Sequence, residues 1–506
     1  MTEQMIQLAD DWNADTSMVR LMQFEDVFTF KAGQFLIITD RKSGRVYLVM
    51  LSGPQVNLNR NALGPLENPT LAALELVADD RMPRDNMGEE SAMYRAVLIA
   101  DVSDGRARSI RIRPQMASLA RAATQDEIMR YLNLPEHSEK TEIGMLMDTD
   151  IGVSVDRRVL MYHVLSAGAT GSGKSNTGNG ILHAAQALDI CTFVFDHKPD
   201  YLNLDEPNDE RTDGAALKNV HYYKLGGASF GRGDELVVPA SELNFDVLAR
   251  TLFHMPGEEM AADAVGFLLF TFDQYQRDRG ERVWSLDDFI DWTEGAGKAA
   301  MGDLHAAQKR SIMQKLPRPS RKPAWIDGPS GFNPPSFNLK KVIKPGRTNV
   351  ISIGGGGRAY GLFLSWFLRK VATHQKNAKT KVPVLQYIDE AQDIFNGDSA
   401  QKSAMGGSLS EQIRKGRSLK IGFCISVQSA ESVPQEIRNN LNTQLIHRHN
   451  NHSQVREAIP RATDEQRRMT DSFGPGECLA YMYGANAVIH AQMNQAISNL
   501  TKQADD

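Results

Sequence analysis

The chain has 506 residues, 41% of them hydrophobic and 24% charged, and a formal net charge of −5. That length and balance exclude a disordered polymer and a single small module, and suit two to four domains with a substantial core. The slight acidity excludes a uniformly basic nucleic-acid binder, so any contact with DNA needs a local patch.

The polar, acidic residues 1–15 carry no basic stretch followed by an apolar core, so no targeting segment is expected there. Residues 35–39 and 46–51 are β-rich runs separated by the turn-rich Asp40-Arg41-Lys42-Ser43-Gly44, the pattern of a hairpin. Residues 94–102 and 109–113 repeat the design around Ser103-Asp104-Gly105. Short strands at this spacing suggest a small barrel, or another small β domain. A helix is expected over 125–132, and residues 144–156 lead into a change of pattern.

From His163 onward apolar runs alternate with helical stretches. The runs are 161–166, 191–195, 348–353, 382–388 and 421–427; helices are expected over 174–188 and 360–374. Such alternation indicates a parallel sheet with crossovers, and near-continuous apolar strands suit a sheet covered on both faces. Residues 203–344 interrupt it with helical patterns over 245–254, 258–277, 286–292 and 299–315, then a Pro-rich loop over 317–335. A structureless loop of that length is implausible, so the segment is expected to be a mostly helical insertion. The most apolar windows, 264–272 and 362–368, fall well short of the roughly 20 residues of a membrane helix. Cys191, Cys424 and Cys478 are too scattered for a metal pair or a disulfide framework, which fits a reducing cytosol. The expectation is a cytoplasmic protein with no membrane contact.

Gly168-Ala169-Thr170-Gly171-Ser172-Gly173-Lys174-Ser175 matches G-x-x-x-x-G-K-[ST]. Glycines let the backbone curl so that its N–H groups point at phosphate oxygens, and the following helix adds its positive end. The phosphate-binding set is expected to run from Gly168 to Asn176. Lys174 is placed to reach the β- and γ-phosphates and Ser175 to coordinate Mg²⁺. A second apolar strand ends in Asp389-Glu390, at the sheet edge where ligands bind in such folds. Asp389 is expected to hold Mg²⁺ and Glu390 to polarise the attacking water. Asp196, ending the strand after the glycine-loop helix, is either a neighbour of these carboxylates or a turn-forming Asp. Gln428 ends a further strand, where a neutral amide can sense the γ-phosphate or orient water. Arg414, Lys415 and Arg417 lie near a helix C-terminus, either complementing its dipole or supplying an arginine finger to a neighbour's ATP.

The order of these elements resembles the HerA/FtsK branch of RecA-like P-loop ATPases, and HerA most closely. The residues that carry the resemblance are AGATGSGKS, FVFDHKPDY, LQYIDEAQDIF, EQIRKGRSLKIGFCISVQSAESVPQEIRNNLNTQLIHR and GPGECLAYMYG. It implies an α/β fold: a RecA-like core (151–202 and 345–496) with a helical insertion (203–344). A small N-terminal β-barrel and connecting helix (1–150) would precede it, and a polar tail (497–506) would follow. It implies a homo-oligomeric ring, usually hexameric, that threads double-stranded DNA through a central channel and couples ATP hydrolysis to translocation. ATP and Mg²⁺ would sit between subunits, with Lys174, Ser175, Asp389, Glu390 and Gln428 on one side. Arg414 would enter from the next subunit, with Arg417 the second choice. HerA proteins commonly work with a nuclease, typically NurA, in DNA end processing, and others act in antiviral defence with sirtuin-like or nuclease effectors. Contacts to a tracked duplex must be mostly to phosphates; Lys402 in a loop over 397–407 and Arg358 in GGGGRAYG are candidates, each weighed against an ordinary solvated charge. Two other readings remain open. One is a ring scaffold that organises an effector with ATP as assembly ligand; the other is a peptide-pumping secretion ATPase.

Overall fold

The computed structural model describes residues 5–7, 18–23, 30–52, 56–59, 90–115, 118–134, 140–252, 262–280, 284–295, 322–328, 337–354, 358–395 and 399–501. They fall into two compact units. One comprises residues 1–156, 171–173 and 443–494, the other 157–170, 174–442 and 495–506.

In the first unit, seven strands build one antiparallel sheet. They are β1 (Met5–Gln7), β2 (Met18–Gln23), β3 (Phe35–Thr39), β4 (Val46–Leu51), β5 (Val56–Asn59), β6 (Glu90–Asp101) and β7 (Leu119–Ala122). Their order is β2-β1-β7-β3-β4-β6-β5, and β2 pairs with β6 as well as with β1. Alternate residues of these strands share one core: Leu36 and Ile38, Tyr47, Val49 and Leu51, Tyr94, Ala96 and Leu98. These alternate positions share one face of the sheet; in β3 and β4 the residues between them, Phe35, Ile37, Leu48 and Met50, are buried as well. The expected strand over 109–113 does not form. There the backbone serves side chains instead: Tyr47 Oη donates to the Ile112 carbonyl at 2.9 Å, and Ile112 is 51% exposed. Helix α1 (Gln125–Leu132) starts as its sequence requires, with Thr124 and Glu127 forming a reciprocal capping box. Strands β8 (Lys140–Leu146) and β9 (Gly152–Asp156) follow as an antiparallel pair.

The second unit begins with the short helix α2 (Arg157–Met161) and β10 (Val164–Ala167). Then come α3 (Lys174–Ala187), β11 (Cys191–Asp196), β12 (Val220–Leu225) and β13 (Asp234–Leu236). Helices α4 (Phe245–Leu252), α5 (Ala262–Arg279) and α6 (Leu286–Glu294) precede β14 (Thr348–Ser352), α7 (Arg358–Asn377), β15 (Val384–Ile388), α8 (Ser399–Leu419) and β16 (Ile421–Val427). The sheet order is β13-β12-β14-β11-β15-β16-β10, and every pair is parallel. Every residue of β10, β11, β14, β15 and β16 is buried. Since successive strand side chains point to opposite faces, both faces of this sheet are covered.

The segment expected as a mostly helical insertion therefore also supplies two sheet strands, β12 and β13. They escape notice because β12 (VHYYKL) buries only Tyr223 and Leu225, with His221 exposed and the rest half-buried, and so forms no apolar run. The helix expected over 299–315 and most of the Pro-rich loop lie outside the described residues, as do residues 355–357 and 396–398. The loop expected over 397–407 is helical from Ser399, so Lys402 stands on α8. Arg358 is the first residue of α7. Residues 497–501 are not a free tail. Ser498 is fully buried, and its backbone carbonyl and hydroxyl accept from Asn179 Nδ2 at 3.2 and 2.7 Å. The chain resumes the first unit with β17 (Thr443–Ile446), β18 (Glu477–Tyr481) and β19 (Ile489–Met493), each antiparallel to the next, and β19 pairs with β8. Among the described residues no helix is long and apolar enough to cross a membrane.

Candidate functional site

Four strand ends build the site. In the sheet, β11, β15, β16 and β10 are consecutive neighbours, with Phe195 level with Ile388, Ile388 with Ile425, and Ala167 with Val427. The residues that follow each strand therefore emerge side by side at the C-terminal edge. These are Asp196 at the end of β11, Asp389 and Glu390 after β15, Gln428 after β16 and the glycine loop after β10.

The loop curls as its glycines allow. Gly171 has φ +72° and Gly173 φ +102°, values that side chains with a Cβ rarely adopt. Helix α3 then opens on Lys174. The Lys174 ammonium turns back into the loop and donates to the carbonyls of Gly168 at 2.7 Å and Ala169 at 3.1 Å. Burial pushes its pKa down, while the nearby charges of Glu390 and Asp389 oppose the shift. Ser175 Oγ donates to Asp200 Oδ2 at 3.1 Å, and Asn176 lies half-buried beside it.

The carboxylates are crowded. Asp196 is fully buried, and burial with the charges of Asp389 and Asp200 holds its carboxyl well above the usual range. Its Oδ1 has no hydrogen-bond partner. Asp389 is pushed up to about 7, by burial first and by Glu390 next, against a hydrogen bond from Ser426. Asp200 is raised by burial as well, opposed by Ser175. Glu390 goes the other way. Burial would raise it, but the Lys198 and Gln392 side chains that donate to it bring it below its ordinary value. Lys198 Nζ lies 2.8 Å from Glu390 Oε1, Gln428 Nε2 donates to Oε2 at 3.0 Å, and Gln392 Nε2 also donates to Oε2. Glu390 has φ +46°, a left-handed backbone that a residue with a side chain adopts at a cost.

This donor set fits a phosphate-bound divalent cation. A buried, unpartnered oxygen on Asp196 beside two carboxyls held toward their protonated forms marks a place short of positive charge. Among the described residues no group of three or more His, Cys, Asp or Glu is arranged to hold a metal by itself. Mg²⁺ does not need such a cage; it is bound through one or two carboxylates, waters and substrate phosphates. Ser175 and Asp389 could supply the protein's share.

The sequence-derived residues Lys174, Ser175, Asp196, Asp389, Glu390 and Gln428 thus meet at one edge. Arg414 and Arg417 lie on α8 and are both exposed. The Arg417 guanidinium sits 4.7 Å from the ring centre of Tyr162. Sequence reasoning missed Lys198, Asp200 and Gln392. Lys198 and Asp200 belong to the same DHKPD stretch as Asp196, and Gln392 follows Glu390 by two residues, so proximity to a chosen carboxylate was the signal available.

Residues 141–370 match the family model described as the central domain of helicase HerA. The DNA double-strand break repair helicase HerA of Sulfurisphaera tokodaii is 22% identical over 408 residues, covering 76% of this chain and 73% of that protein. The chain is thus similar to HerA through its central domain. Solved structures add a likeness of fold. The plasmid coupling protein TrwB with ADP and Mg²⁺ aligns over 75% of this chain and 96% of its own, at 14% identity and a TM-score of 0.50. VirB4 of Thermoanaerobacter pseudethanolicus aligns over 72% and 98%, at 11% identity and a TM-score of 0.50. Of the site residues, the glycine loop, Asp196, Lys198 and Asp200 fall inside the family match, while Asp389, Glu390, Gln428 and the α8 arginines lie beyond its last matched residue.

Proposed function

We propose that the chain is a HerA-like ATPase that binds ATP with Mg²⁺ at the C-terminal edge of its parallel sheet and works as a subunit of a hexameric ring that moves along double-stranded DNA. The observation that supports this most is the convergence of the glycine loop, Asp389, Glu390 and Gln428 on one edge. Gly168 to Asn176 would cradle the phosphates, and Lys174 would exchange its two loop carbonyls for phosphate oxygens. Ser175 and Asp389 would hold Mg²⁺, which when bound neutralises charge on the phosphates. Asp196 would add a buried acceptor beside Asp389. Glu390 would take the proton of the attacking water, and Gln428, already bonded to Glu390, would orient that water.

Arg414, exposed on α8, is the arginine that would reach a neighbouring subunit's ATP, since Arg417 is stacked on Tyr162 of its own chain. The Sulfurisphaera relative is a DNA double-strand break repair helicase, which supports duplex DNA as the substrate. The pairing of β2 with both β1 and β6 supports reading residues 1–150 as the small barrel of HerA proteins. Its strands would dock the partner subunit, a NurA-like nuclease or a sirtuin-like or nuclease defence effector.

The test is the steady-state ATPase rate with and without linear duplex DNA, for the wild type and Glu390→Gln. A DNA-stimulated rate that the substitution lowers at least ~100-fold, within the range of general-base catalysis, is expected. Hydrolysis lost with the substitution but indifferent to DNA would instead support the ring scaffold that organises an effector.

A further inference from the structure

Lys198 has no part in the roles above, yet it holds the residue on which they turn. It follows Asp196 by two positions, and its Nζ lies 2.8 Å from Oε1 of Glu390. The Glu390 side chain is 10% exposed and that of Lys198 39%, so the pair sits at the mouth of the site rather than under it. The second carboxylate oxygen, Oε2, accepts from the side-chain amides of Gln428 and Gln392. Gln392 is itself fixed, because its Oε1 accepts from the Gln428 backbone N–H at 3.4 Å. Glu390 stands on a left-handed backbone, φ +46°, outside the wells where a side chain settles unaided. The two oxygens are therefore unlike. One is tied to a cation on the β11 side, and the other is grouped with neutral amides on the β16 side.

We propose that Lys198 is a positioning residue for hydrolysis: its ammonium holds Oε1 of Glu390, so that Oε2 is the oxygen presented, beside Gln428, to the attacking water. The inference rests on the reading of Glu390 as the base. A partly exposed ion pair contributes little to stability, so a merely structural Lys198 would leave turnover almost untouched. A misplaced base, in contrast, costs rate without costing substrate affinity.

The experiment compares Lys198→Met and Lys198→Arg in the full chain with linear duplex DNA. Turnover at saturating ATP is measured alongside affinity for a non-hydrolysable ATP analogue and the thermal melting point. Lys198→Met should lower kcat roughly 10- to 100-fold with analogue affinity and melting point unchanged, the size expected when a supporting side chain is lost. Lys198→Arg should recover most of the rate. In a Glu390→Gln background, Lys198→Met should cause no further loss of residual single-turnover hydrolysis, because the two changes remove one function. If Lys198→Met melts early, Lys198→Gln takes its place. Unchanged or raised kcat, an equal loss of analogue affinity, or the same loss in the Glu390→Gln background would each overturn the proposal. Normal hydrolysis by Glu390→Gln alone would instead overturn the reading of Glu390. An inactive Glu390→Gln beside a normal Lys198→Met would sink only the role of Lys198.

Discussion

Two residues show how the site depends on contacts that no local rule anticipates. Glu390 carries a left-handed backbone, which places its carboxylate where donors from two different strand ends can reach it. Gly178 stands in the fifth position of α3, where alanine would ordinarily gain about 1 kcal/mol of helix propensity. Here a Cβ would fall 2.2 Å from the Tyr387 hydroxyl and 2.9 Å from that of Tyr201. The two hydroxyls bond each other at 2.8 Å, and both rings are fully buried behind the carboxylates. Overpacking therefore outweighs propensity. Gly178→Ala should destabilise the protein by ~1–3 kcal/mol, measured by denaturant unfolding. Tyr387→Phe, which removes the clashing oxygen, should cost less in the Gly178→Ala background than in the wild type. Fully additive losses would show that the contact is not the cause.

At the scale of elements, His163 ties the P-loop strand's entrance to α8 and β16. Its Nδ1 accepts from the Phe423 backbone N–H at 3.2 Å, so Nε2 carries the proton and donates to the Ile413 carbonyl at 3.0 Å. The ring is thus neutral and satisfied on both sides, and burial pushes its pKa down to about 4. The unfolded chain binds a proton to this group near pH 6.5, the folded chain only near pH 4. Between those values the unfolded state holds more protons, so the contribution of His163 is full above pH 6.5 and is lost as pH falls. The loss amounts to about 3 kcal/mol by pH 4. Asp389, raised to about 7, titrates with the opposite sign over part of the same window. The measure is therefore the difference between the wild type and His163→Gln, whose amide keeps a donor and an acceptor but does not titrate. The variant's unfolding free energy should fall less steeply from pH 6.5 to 4.5. Parallel profiles would contradict the neutral, buried His163.

At the scale of the whole molecule, the proposed ring makes each active site a product of two chains. Lys174, Ser175, Asp389, Glu390 and Gln428 come together within one chain. Arg414 is exposed on α8 and Arg417 is engaged with Tyr162. Arg414→Ala should therefore lower kcat ~10³-fold or more, the usual weight of an arginine finger, while Arg417→Ala should cost far less. Mixing Arg414→Ala with Glu390→Gln subunits should restore activity, since an intact Glu390 can then meet an intact Arg414 across an interface. Absence of complementation, or an equal loss on Arg417→Ala, would remove the trans assignment.

What sequence alone determined here is chemistry written in neighbouring residues. The glycine loop was legible because phosphate binding needs its backbone curl, its lysine and its helix within eight positions. Strands β11, β14, β15 and β16 were legible because a sheet covered on both faces demands apolar runs. Asp389, Glu390 and Gln428 were legible because they end such runs. The tertiary structure decided what depends on partners far apart in the chain. It buried Asp196 beside Asp389 with Oδ1 unpartnered, while Oδ2 accepts from the Tyr201 backbone N–H at 3.4 Å in the turn that follows. It recruited Lys198 to Glu390 across 192 residues and drew Ser498 onto Asn179 across 319. It added β12 and β13 to the sheet, although their polar residues left no apolar run to follow. The physical reason is the same in each case: strand, loop and cap preferences act over a few residues. Burial, charge pairing and register are set by residues that become neighbours only when the sheet closes around them.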